Sequence, residues 1–302
     1  MSFLNTFIAR TLPYVPKVIV GQVSKRYIAG ESFADAARVV DTLNTRGMMA
    51  TLDILGEDIT EREPALKIRS DWLKVIGEIA GRSLNANISV KPSQLGLKID
   101  PQFCYENTRA LVEAAREKGN FVRIDMEDST TTSATLDMYR KLRGEGFENV
   151  GVVIQAYLRR SEADVRALVA IKANIRLCKG IYIEPEEIAF QDREEVRRNF
   201  ILLLRTMLEN GSYAGIATHD DYLVDKSFEL IRRLGLGKER YEFQMLLGVR
   251  EPLRDRIVRE GERLRVYVPF GEQWHAYSVR RLKENPEIAG YILKAMFGGN
   301  GR

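Results

Sequence analysis

The sequence predicts an α/β protein, a (β/α)8 TIM-type barrel, and three observations lead there. From residue 47 onward short apolar runs alternate with amphipathic helical stretches; eight such runs occur; and polar residues gather at their C-terminal ends. Alternation of this kind builds a parallel sheet, because each strand is joined to the next by a crossover helix. Eight units suffice for closure, and 302 residues suit one large barrel domain.

Residues 1–45 read as an N-terminal helical segment and residues 46–302 as the barrel. The first 30 residues carry Arg10, Lys17, Lys25 and Arg26 with no acid, beside apolar residues such as Phe3, Leu4, Phe7, Ile8, Leu12 and Val18. Two readings stand: a helix that caps the barrel, which is preferred, or an interfacial helix at the anionic inner face of a cell membrane. A cleaved secretory signal does not match, since no long uninterrupted apolar region exists.

The strand-like runs and the helical periods that follow them come in order. Run 47–55 precedes a helix over 61–82, run 87–91 one over 102–118, and run 121–127 one over 132–145. Run 150–157 precedes a helix over 161–172, run 175–180 one over 190–210, and run 215–219 one over 221–234. Run 241–246 precedes a helix over 252–261, and run 265–269 is followed by two helices near 274–285 and 287–297, the first expected to serve the active site. Barrel strands are buried on both faces and should read as continuous apolar runs, as Val152, Val153 and Ile154 do. The exceptions are Asp53, Lys91, Asp125, Gln155, Arg176, Lys179, Thr218, His219 and Gln244. Barrel enzymes place their chemistry at the C-terminal ends of the strands, so this grouping predicts a site.

Composition narrows the function further. The 46 basic and 42 acidic residues are interspersed, which argues against a dedicated nucleic-acid binder. Two cysteines, Cys104 and Cys178, and two histidines, His219 and His275, offer no zinc-type spacing and suit a reducing, cytoplasmic compartment. No apolar run approaches the roughly 20 residues needed to span a bilayer. There is neither a Gly-x-Gly-x-x-Gly turn after a strand nor a phosphate-binding loop, so a cofactor would have to bind on the barrel itself. The adjacent Arg280 and Arg281 form a paired guanidinium fork suited to a carboxylate.

Seven stretches in order carry a family resemblance: Ser89-Val90-Lys91-Pro92-Ser93, Arg123-Ile124-Asp125-Met126-Glu127, Ile154-Gln155-Ala156-Tyr157, Ile175-Arg176-Leu177-Cys178-Lys179-Gly180, Ala217-Thr218-His219-Asp220, Tyr241-Glu242-Phe243-Gln244-Met245-Leu246, and the Arg280-Arg281 segment. Together, from about residue 45 to 290, they resemble the proline dehydrogenases, in their short monofunctional bacterial form.

The resemblance implies FAD-dependent oxidation of L-proline to Δ1-pyrroline-5-carboxylate, with electrons passed to a membrane quinone. It implies a carboxylate clamp of Arg280, Arg281 and Lys91, with Asp125 facing the substrate nitrogen or ion-paired with Arg280 or Arg281. Around the substrate ring it implies Tyr182, Leu246, Tyr267 and Tyr277, and Tyr267 favours proline over hydroxyproline. Along the cofactor it implies Asp125, Gln155, Arg176 at the flavin N5 edge, Cys178, Lys179, Gly180, Thr218, His219, Gln244 and Glu284. Ile181 departs from the smaller residue expected after Lys-Gly and would add bulk beside the pocket. The alternatives are another flavin barrel, such as a methylenetetrahydrofolate reductase, or a barrel retained as a non-catalytic scaffold.

Overall fold

A computed structural model describes residues 24, 26–56, 58–275 and 278. Eight parallel strands close on one another in chain order. They are β1 (Met49–Ile54), β2 (Ala86–Val90), β3 (Val122–Ile124), β4 (Val150–Gln155), β5 (Asn174–Cys178), β6 (Tyr213–Ala217), β7 (Tyr241–Leu246) and β8 (Leu264–Phe270). Helix α1 (Phe33–Thr45) precedes β1, and α2 (Arg62–Gly81), α3 (Pro101–Glu117), α4 (Thr132–Gly144), α5 (Ser161–Val169), α6 (Arg193–Glu209), α7 (Asp221–Leu234) and α8 (Glu251–Arg259) fill the seven crossovers. The (β/α)8 architecture expected from the alternation is the one observed.

Sequence chemistry sets the element ends. Ser32 and Asp35 form a reciprocal capping box at the start of α1, and Asp192 accepts from the N–H groups of Glu194 and Glu195 at the start of α6. That cap starts α6 at residue 193 rather than at the expected 190, while α5 stops before Lys172, which turns with φ of 50°. β3 is only three residues long, because the chain leaves the ladder once Asp125 N–H has bonded to Val90 O. The two helices expected near 274–285 and 287–297 fall largely or wholly outside the described residues, as does most of the 1–45 segment that precedes α1.

The core lies between strands and helices, where Leu52, Ile88, Ile124, Val152, Ile175, Ile216, Phe243 and Val266 face Trp72, Leu111, Leu136, Leu168, Phe200 and Ile257. Side chains alternate along a strand, so the intervening residues fill the barrel interior. There the usual apolar layers give way to Thr51, Asp53, Asn87, Ser89, Arg123, Arg176, Glu242 and Gln244, all buried. Two strands carry glycine at interior positions, which makes the room. A Cβ on Gly151 would lie 2.4 Å from Arg123 Nη1, and one on Gly215 would lie 2.6 Å from Gln244 Nε2. No helix among the described residues is long and apolar enough to cross a membrane.

Candidate active site

Buried charges are tolerated only when paired and hydrogen-bonded, so the barrel interior must be a network. At the C-terminal mouth its hub is Asp125, just beyond β3. Asp125 Oδ1 accepts from Arg176 Nη1 at 2.7 Å and from Ser89 Oγ at 2.7 Å, and Oδ2 accepts from Tyr267 OH at 2.9 Å. Four strands thus deliver one cluster. A carboxylate offers about four acceptor positions, so three filled ones leave Oδ2 with capacity for one further donor. The Arg176 guanidinium lies 5.3 Å from the centroid of the Tyr267 ring, which fixes its plane further.

Lys91 follows β2 and pairs through Nζ with Asp53 Oδ1 on β1. Burial works to lower the ammonium pKa, but the Asp53 and Asp125 carboxylates outweigh it and hold Lys91 above its ordinary value. Lys91 is therefore a firmly charged donor that already spends one of its three N–H groups inside the protein. Any further anion would share it with Asp53.

The rim over β5 and β6 is cationic. Arg197 grips Asp220 with two hydrogen bonds of 3.0 and 2.7 Å, and Lys179 Nζ and Arg193 Nη2 approach the same carboxylate at 3.4 and 3.7 Å. Thr218 Oγ1 accepts from Asp220 N–H, while His219 Nε2 accepts from Leu246 N–H at 2.9 Å. The latter bond requires an unprotonated Nε2 and ties the end of β6 to the end of β7. Gln155 donates to Glu127 O at 2.8 Å. Cys178 Sγ donates to Ile154 O, and burial pushes its thiol up to about 11, so it serves as a neutral wall rather than a nucleophile.

Gly180 takes φ of 107°, and a Cβ there would lie 2.1 Å from the Tyr157 ring, so only glycine lets the backbone pass this close to it. Tyr182 is half-buried in the connection after β5, as is Leu246 at the end of β7. Ile181, expected beside the pocket, is 44% exposed. Tyr277, Arg280, Arg281 and Glu284 lie outside the described residues. Among the described residues the cation paired with Asp125 is Arg176.

Gln244 links the mouth to the interior of the barrel. Both ends of its amide are engaged by the protein: Oε1 accepts from Arg176 Nε at 2.6 Å, and Nε2 donates to Glu242 Oε1 at 2.6 Å. Glu242 in turn accepts from Arg265 Nε at 2.7 Å and from Tyr213 OH at 2.9 Å. This chain reaches the opposite, N-terminal end of the barrel, where a cavity of about 570 Å³ is lined by Asn87, Arg123, Asn174, Tyr213, Glu242 and Arg265. Burial tends to raise the Glu242 carboxyl, but the Arg265 charge and the hydrogen bonds prevail and hold it at about 2. Ser89, Glu242, Arg265, Arg197 and Asp220 were not singled out by sequence reading. The signal that could have found Ser89, Glu242 and Arg265 is a polar residue at every second position of an otherwise apolar strand.

A family model described as "Proline dehydrogenase" matches residues 36–292. Proline dehydrogenase 2 of Bacillus subtilis (strain 168) is 37% identical over 271 residues, covering 90% of this chain and 89% of the relative. The proline dehydrogenase of Deinococcus radiodurans is 36% identical over 281 residues, covering 92% and 91%. Among solved structures, proline utilization A (PutA) from Bdellovibrio bacteriovorus inactivated by N-propargylglycine superimposes with a TM-score of 0.83 at 28% identity, over 93% of this chain and 34% of that one. The chain thus spans about a third of that larger protein but nearly the whole of the two shorter relatives. A barrel whose mouth joins Lys91, Asp125, Arg176 and Tyr267, matched along most of its length by that family model and those two relatives, belongs to the proline dehydrogenase family.

Proposed function

We propose that the protein oxidises L-proline to Δ1-pyrroline-5-carboxylate with FAD as cofactor and a membrane quinone as electron acceptor. The observation that carries this reading is the mouth cluster, in which two cations, Lys91 and Arg176, flank a carboxylate with remaining acceptor capacity beside the Tyr267 ring. A cyclic amino acid has the complementary features: a carboxylate for the cations, a nitrogen donor for Asp125, and an apolar ring for Tyr267, Leu246 and Tyr182. In this reading Arg280 and Arg281 complete the carboxylate clamp and Tyr277 is a further residue around the ring.

The donor set also suits the cofactor. Lys179, Arg193 and Arg197 converge on the carboxylate of Asp220 at the β5–β6 rim, which suits a pyrophosphate-bearing ligand, and Arg176 in the mouth suits its electron-accepting ring. Gln155, Arg176, Cys178, Lys179, Gly180, Thr218, His219, Gln244 and Glu284 are the residues proposed to hold it, Gln244 acting through Arg176. When bound, FAD supplies the acceptor for the hydride from C5 and passes the electrons to quinone. The protein's own task is to hold the amine. Asp125 orients the nitrogen through Oδ2, the oxygen that keeps an acceptor position beside the Tyr267 hydroxyl. The free thiols of Cys104 and Cys178 support a cytoplasmic setting, with the N-terminal segment proposed as a peripheral membrane contact.

Anaerobic mixing of the FAD-loaded protein with L-proline tests the reading. Bleaching of the flavin band near about 450 nm, with a product trapped by an aldehyde reagent, is expected. Bound FAD that stays oxidised in proline yet bleaches with hydroxyproline or a folate would replace the substrate. Asp125→Asn should slow flavin reduction by on the order of 10- to 100-fold, and an unaltered rate would remove Asp125 from the chemistry.

A further inference from the structure

We propose that Glu242 is a positioning residue: through Gln244 it fixes the direction in which Arg176 presents its guanidinium at the mouth of the barrel. The catalytic consequence rests on the reading above, in which Arg176 meets the cofactor.

The argument is one of hydrogen-bond polarity. An ionised carboxylate only accepts, so the amide of Gln244 must turn its NH2 toward Glu242. Its oxygen must then face Arg176, whose Nε–H it accepts at 2.6 Å. Arg176 is thereby gripped on its Nε side by Gln244 and on its Nη1 side by Asp125 and Ser89, which three other strands deliver. Glu242 is 2% exposed and is held ionised by Arg265, whose Nε and Nη2 reach its two oxygens at 2.7 and 3.2 Å. Gly215 leaves the space in which the Gln244 amide lies. A neutral amide in place of Glu242 can donate as well as accept and would permit either orientation of the Gln244 amide, one of which turns an NH2 group toward a guanidinium.

The full-length protein is compared as wild type, Glu242→Gln, Glu242→Asp, Gln244→Leu and Tyr213→Phe. Two measurements are made on each: solvent exchange of the Arg176 Nε–H by 15N NMR on FAD-free protein, assigned with Arg176→Lys, and the midpoint potential and proline kinetics of FAD-loaded protein. Glu242→Gln and Gln244→Leu should each speed the exchange about 10-fold or more, lower the flavin potential, and slow turnover by on the order of 10-fold with KM for proline little changed. Glu242→Asp should recover part of each effect. Tyr213→Phe, which removes a bond to the other oxygen of Glu242, should leave all of them at wild-type values.

Unchanged exchange in Gln244→Leu overturns the proposal, and that variant keeps the Glu242–Arg265 pair, so it decides the matter even if Glu242→Gln does not fold. A Glu242→Gln protein that melts earlier with unchanged exchange and potential would reduce Glu242 to a structural role. If wild type is not reduced by proline, the functional reading fails, while the exchange data still decide whether Glu242 positions Arg176.

Discussion

Arg123 and Arg176 occupy interior positions on two strands of one barrel, and they are satisfied in opposite ways. Arg176 faces the mouth and is held by side chains: Asp125, Ser89 and Gln244. Arg123, toward the floor, donates to the backbone carbonyls of Val152 and Asn174 and to the Asn174 side chain, and among the described residues no carboxylate pairs with it. Burial, aided by the Arg176 charge, pushes Arg123 down to about 9. Carbonyl dipoles hold the two Nη groups without neutralising the charge, and the buried Nε has no hydrogen-bond partner among the described residues. A side chain held by other side chains can be tuned by substituting them, whereas one held by backbone is fixed by the strand register. The mouth is built for chemistry and the floor for geometry.

The largest expected effect tests that division directly. Under the proposed function, Arg176→Met should lower proline-dependent flavin reduction by on the order of 10²- to 10³-fold in stopped-flow traces, the cost of losing a preorganised charge at the proposed reaction centre. Arg123→Met should leave the same rate within about twofold while altering the melting temperature, since it lies away from the mouth. Equal losses of rate in the two variants would erase the contrast.

Next in size is an acid response carried by the floor. Glu242 titrates at about 2 in the folded protein against an ordinary 4.5, so its stabilising contribution is complete above pH 4.5 and is lost as pH falls toward 2. That separation corresponds to about 3 kcal/mol. Denaturant titrations at stepped pH should show Glu242→Gln lacking this part of the wild-type acid dependence, and parallel curves would refute it.

The smallest effect separates the two ends with one chemical change. Gly151→Ala places a methyl group against Arg123 Nη1 and Asn174 O, and Gly215→Ala places one against the Gln244 amide. Each should cost on the order of 1–3 kcal/mol of stability in urea unfolding. Only Gly215→Ala should also slow turnover, because the group it displaces holds Arg176. A matching loss of rate in Gly151→Ala would mean that the floor transmits strain to the mouth.

Much of this was legible in the sequence because strand burial imposes a simple pattern. Apolar runs marked all eight strands, and polar residues at their C-terminal ends marked the mouth, including Lys91, Asp125 and Arg176. The pairings were not legible. Arg176 and Gln244 are 68 residues apart, and Lys91 and Asp53 are 38 apart, so their partnership depends on barrel closure and register rather than on local spacing. Charge alone suggested Arg280 or Arg281 for Asp125, both outside the described residues, and gave no sign that Arg176, 51 residues away, pairs with it. Glu242 escaped notice because a buried acid two residues before Gln244 has no meaning until β8 supplies Arg265.

That dependence on β8 also sets an order of events in synthesis. Arg265 follows Glu242 by 23 residues and reaches back 215 residues to Ala50 O. At about 5–20 residues per second, a ribosome needs roughly one to five seconds to pass from one to the other. Throughout that interval Glu242 lacks the guanidinium that binds both of its oxygens, and the sheet lacks the strand that joins β7 to β1. The final strand therefore acts as a latch, and nascent chains stalled just short of it are the ones whose unclosed sheet edges a chaperone would have to guard.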